Sequence, residues 1–204
     1  MRKILPLIAF VVIAVVVYFV IFNKKKTTVD EPKQQSIVLK KHSDAFNQST
    51  DSVVNAYLEI KNAFVNTDTV AAKNATRNFI ALLDRLPVDE LKKDTATIFE
   101  TVQSNIADIK SNATSLLNQT DITEMRKDFS MVTEMMYPSF FTAINYEGPK
   151  LYVENCPMAF SDSIAANWIS NSAEIVNPYM GKNHPTYHSG MLACGSVKDS
   201  IVAK

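Results

Sequence analysis

The sequence predicts an all-α fold: an up-and-down four-helix bundle with a small C-terminal loop-rich unit, preceded by an N-terminal transmembrane helix. Three observations carry this reading. An apolar run of 19 residues, 4–22, opens the chain. Apolar side chains then recur at spacings of three and four as far as Met136, the mark of amphipathic helices. No glycine occurs before Gly148; all four glycines lie from that residue onward, together with Pro149, Pro157, Pro178 and Pro185. A chain of helices thus gives way to a turn-rich unit.

Residues 4–22 are interrupted only by Pro6 and are long enough to cross a bilayer core as a helix. Small residues at a cleavage site, expected of a secretory signal peptide, are missing before Lys24, Lys25 and Lys26. Residues 1–26 therefore read as an uncleaved signal anchor. Arg2 and Lys3 nearly balance the three lysines, so flanking charge is close to a tie. The three-residue leading tail favours a soluble part outside the cytoplasm. Residues 27–50 are polar and poorly periodic, a linker with one short helical piece at 37–41.

Four helices follow over residues 51–147. Val53, Tyr57, Ile60 and Phe64 form the first apolar stripe. Thr67 and Asp68 offer caps to a second helix that turns Ala72, Phe79, Leu83 and Leu86 inward, until Pro87 breaks it. A long third helix buries Leu91, Ile98, Val102, Ile109 and Leu116, flanked by Ile106. The fourth starts near Asp121 and aligns Ile122, Met125, Phe129, Val132 and Met136 before Pro138 kinks or ends it. Short connections favour antiparallel neighbours.

Formal net charge is zero, but beyond Lys26 there are 16 basic against 21 acidic residues, a net of −5. That balance excludes a nucleic-acid binder, which needs a basic patch. No G-x-S-x-G, H-E-x-x-H, phosphate-binding loop, dinucleotide glycine pattern or haem-attachment motif is present, so the chain reads as non-enzymatic.

Function concentrates in residues 148–198, with 199–204 as a tail. This unit holds both cysteines, two of three histidines and the only tryptophan, Trp168. Residues 150–155 and 191–197 can pair as two short strands, and 164–175 reads as a helical turn or two. Cys156 and Met158 are two apart, so an extended backbone turns both sulfurs to one side. Met191 and Cys194 are three apart, within one turn. Pairing would gather four sulfurs, with His184 and His188 from the intervening loop able to join. Thiolate and thioether donors are soft and select monovalent copper; imidazole also suits the divalent ion. The same residues have plainer readings. Two cysteines outside the cytoplasm pair as a disulfide by default, giving a stapled interaction module. Methionines fill cores, and loop histidines are commonly solvated.

The run Leu151-Tyr152-Val153-Glu154-Asn155-Cys156-Pro157-Met158 resembles the start of a signature in a bacterial family of unknown function. The pattern continues in Trp168-Ile169-Ser170, in Glu174-Ile175-Val176-Asn177-Pro178-Tyr179, and in Met191-Leu192-Ala193-Cys194-Gly195. Ala56-Tyr57-Leu58 and Arg126 with Phe129 match its helical part. The resemblance covers about residues 50–198. It implies a free-standing secreted or anchored protein, or a relative of domains fused to periplasmic adaptor subunits of resistance-nodulation-division heavy-metal efflux pumps. The implied location is the periplasmic side of the inner membrane, and the implied cargo is copper, with silver beside it. Efflux adaptors or copper enzymes are the implied partners. Cys156, Met158, Met191 and Cys194 carry over as ligands. The longer loop over residues 182–190 adds His184 and His188.

Overall fold

The computed structural model describes residues 41–161 and 163–203, so the predicted membrane anchor lies outside the described residues. Among the described residues no helix is long and apolar enough to cross a membrane.

Helix α1 (Asp44–Val65) begins well before the stripe that starts at Val53. Its N-cap is Ser43, whose hydroxyl accepts from the Phe46 N–H. The opening turns are polar apart from Phe46, which hides the helix from a periodicity reading. Helix α2 (Thr69–Arg85) is capped by Asp68, and α3 (Ala96–Asn118) by Thr95. Leu91 is buried as predicted, but in a separate 3-10 turn, Val88–Lys93, before α3. Asp121 caps α4 (Ile122–Met135) through the N–H groups of Thr123 and Glu124. Beyond it a wide turn, Met136–Phe140, contains Pro138 after a cis peptide bond. Tyr137 adopts an extended backbone there, and the short α5 (Phe141–Ala143) follows. Each of the four long helices packs on its neighbour in sequence.

Contacts between α1 and α4 close this layer. The Tyr57 ring stacks on Phe129 at 5.0 Å, and Phe64 lies 5.3 Å from the same ring. Thr133 donates its hydroxyl proton to Phe129 O, so at 2.6 Å from Thr133 the Tyr57 hydroxyl must be the donor. That same Tyr57 oxygen accepts from the Ile169 N–H at 3.1 Å, tying both helices to the C-terminal part.

That part is where the prediction needs correcting. The molecule is mostly helical with a small three-stranded antiparallel sheet, rather than all-α. Strands β1 (Leu151–Ser161), β2 (Ile164–Ser170) and β3 (Ser196–Ile201) lie in the order β2-β1-β3. The expected hairpin partner of 150–155 is present as β3, shifted toward the C-terminus and reaching into the expected tail. Residues 164–175 open with a strand, not a helical turn. Ala166, Trp168, Ile169 and Ser170 are all buried there, so the alternation that identifies a half-exposed strand is missing.

Candidate functional site

β1 is the central strand and carries the Cys-Pro-Met segment. Its pairing with β2 runs regularly from Tyr152 opposite Ser170 to Cys156 opposite Ala166, then lapses until Ser161 meets Ile164. Pro157 explains the break, because it has no N–H to give a ladder. On the other edge, pairing ends with Asn155 opposite Ser196. One step further in this register sets Gly195 opposite Cys156, and Cys194 is the next residue along. The two sulfurs lie 3.4 Å apart, as free thiols. Cys156 is buried and Cys194 half-buried. Burial, followed by the hydrogen bond and charge of Cys156, pushes the Cys194 thiol up to about 11.

Cys194 is held by Asn177, which is fully buried. The Asn177 side-chain amide donates to Cys194 O at 2.8 Å, and its backbone N–H donates to Leu192 O at 2.8 Å. Its side-chain oxygen accepts from the N–H groups of Tyr179 and Met180. This is the physical content of the Asn-Pro-Tyr segment: a buried amide spends its groups fixing the loop that delivers the second cysteine. Tyr179 then packs between Trp168, Phe160 and Phe129, with its hydroxyl donating to Asn167 O. Gly195, at φ +138, lies so close to its neighbours that a Cβ would stand 2.7 Å from Asn155 O and 2.9 Å from the Trp168 ring.

The other expected ligands are distributed differently. Met191 belongs to the turn whose carbonyl accepts from the Cys194 N–H at 3.0 Å, and it packs half-buried against the core. Met158 and His184 instead line a cleft of about 270 Å³ that Cys156 and Cys194 do not border. Met180 and the buried Arg126 line it too. His184 Nδ1 accepts from the N–H groups of Thr186 and Tyr187, so the ring proton of the neutral form sits on Nε2. The ring stacks on Tyr187 at 5.0 Å. Burial, Arg126 and His188 together lower the His184 pKa. His188 is exposed in a left-handed conformation, and its N–H donates to His184 O. Among the described residues no group of three or more His, Cys, Asp or Glu side chains could hold a metal ion. A soft site here therefore starts from two thiols, with thioethers as the only additional sulfur donors.

Sequence reasoning passed over Glu154. It is fully buried on the same side of β1 as Cys156, directly opposite Trp168. Neither carboxylate oxygen has a hydrogen-bond partner, nor does the Trp168 Nε1–H. Burial raises the carboxyl to about 7, opposed by the charge of the buried Lys61 and by the nearby indole. Its place inside the quoted Leu-Tyr-Val-Glu-Asn-Cys-Pro-Met run was the available signal.

Residues 53–145 match a family model described as "Protein of unknown function (DUF3347)", which supports a domain-of-unknown-function family for this chain. The match runs from within α1 through α5 and ends before β1, so the thiol pair lies beyond it. No curated protein matches the chain, and no solved structure does.

Proposed function

We propose that this chain is a non-enzymatic copper-handling protein whose primary ligands are the sulfurs of Cys156 and Cys194. The observation that carries the reading is their 3.4 Å contact, made by an ordered loop rather than by proximity in sequence. Two thiolates form a soft donor set, and soft donors select monovalent copper or silver over harder ions. Met191 shares a turn with Cys194 and lies outside the Arg126 cleft, which makes it the first thioether candidate to complete the set. Met158 and His184 belong to a cleft that also contains the Arg126 cation, which repels a metal ion, so they are secondary candidates. His188 is further from this role, being on the exposed outer loop. The anchor read in residues 4–22 would hold the protein at the inner membrane with its site in the periplasm, serving an efflux adaptor or a copper enzyme.

The same contact favours a second reading, in which the two thiols oxidise to a disulfide and staple an interaction module. One experiment separates them. The full chain is loaded with monovalent copper under reducing conditions, desalted, and assayed for copper and free thiols. About one copper per chain, lost in Cys156→Ser and in Cys194→Ser, supports the first reading. No retained copper, with both cysteines already oxidised in untreated protein, overturns it in favour of the staple.

A further inference from the structure

Arg126 is a buried cation without an ion-pair partner; Asp121, the N-cap of α4, acts on it through charge alone. Its side chain is 4 % exposed, and among the described residues no acidic side chain forms an ion pair with it. Part of its place in the fold is structural. Nη2 donates to Phe64 O at 2.9 Å in the last turn of α1, where helix carbonyls carry partial negative charge. That leaves Nε buried with no hydrogen-bond partner. A buried charge in this condition is costly unless something pairs with it.

Arg126 lines the cleft of about 270 Å³ described above, and none of the 13 residues bordering that cleft is acidic. Ile122 and Thr123, in the first turn of α4, lie on its wall, with the N–H of Thr123 already taken by the Asp121 cap. Thr186 and Tyr187 bring hydroxyl groups to the wall, while Met158, Phe160 and Met180 make it apolar.

We propose that this cleft binds a small carboxylate anion bearing an apolar group, with Arg126 as counter-charge and the methionine and phenylalanine side chains as the apolar wall. The site is separate from the thiol pair and does not depend on copper binding. The carboxylate fits because it supplies an ion-pair partner and an acceptor at once; the apolar group fits because the wall would otherwise hold poorly bonded water.

The full chain is titrated with N-acetylphenylalanine while the His184 ring is followed by NMR. Binding is expected to be saturable and to raise the His184 pKa, since an anion beside Arg126 offsets one cause of its depression. Arg126→Gln should weaken binding at least about tenfold, the scale of one charge-assisted hydrogen bond. Because Arg126 also caps α1, that variant can fail to fold, and Thr186→Glu then decides. It leaves the arginine in place and brings a tethered carboxylate to the exposed side of the cleft, so added ligand should no longer bind. Equal binding of N-acetylphenylalanine amide, equal competition by inorganic phosphate, or unchanged binding in Thr186→Glu would each overturn the proposal.

Discussion

Glu154 and Lys61 reach one buried space, from the central strand and from helix α1, without closing to an ion pair. Lys61 reaches only Ser170 Oγ, at 3.5 Å, and its own pKa is lowered by burial. Each charge is therefore partly desolvated and only partly compensated. The folded state keeps the Glu154 proton up to about pH 7, whereas the unfolded carboxyl loses it near 4.5. Folding binds a proton in that window, so stability declines as pH rises through it and levels off above. Glu154→Gln should match the wild type at pH 4.5 and exceed it at pH 7.5, by about 1–3 kcal/mol. Urea unfolding at the two pH values checks this; a variant weaker at both would show that the carboxylate has a partner.

Metal capture by the thiol pair should be steeply pH-dependent. Cys194 keeps its proton up to about pH 11 in the metal-free fold, and a thiolate is the ligand. Affinity for monovalent copper should then rise by about tenfold or more per pH unit between 6 and 8. Competition against a chromophoric chelator across that range measures it. A flat profile would mean that Cys194 is not displaced from its proton.

The two methionines should separate. Met191 shares a turn with Cys194, whereas Met158 opens on the cleft beside Arg126. Met191→Leu should lower copper affinity several-fold with the fold unchanged, while Met158→Leu should leave it nearly untouched. The reverse order would relocate the site to the cleft.

Thr67 offers a test of the helical layer alone. The N–H groups of Thr67 and Asp68 return to Phe64 O and Ala63 O, the double closure that ends a helix around a left-handed residue. Thr67 adopts φ +61, which a β-branched residue tolerates poorly, and its buried hydroxyl oxygen has no partner. Thr67→Gly should therefore stabilise the protein by about 1 kcal/mol, read as a rise in the thermal midpoint. A lower midpoint would assign the hydroxyl a role that its geometry does not suggest.

The helices were legible because each obeys a local rule. Asp68 and Asp121 stand where caps belong, and one apolar face recurs from Ile98 to Leu116. Strand β2 was not legible, since burial on both sides erases the period of two. The thiol pair could be anticipated from Cys156 and Cys194 alone. The extended backbone expected through Cys156 and Met158 is present in β1, whereas the cleft that Met158 also borders depends on the path of residues 180–187. Asn177 was visible only as a motif residue. Its five hydrogen bonds depend on a loop path that no periodicity encodes.

Gly195 gives the thiol pair a mechanical character. With a lone hydrogen there, the main chain rests against the indole of Trp168 and the carbonyl of Asn155, so it acts as a shim of minimum thickness. The gap between the sulfurs is thus gauged by a neighbour that carries no donor atom. Widening the shim by one methyl group would loosen the jaws while leaving both teeth intact.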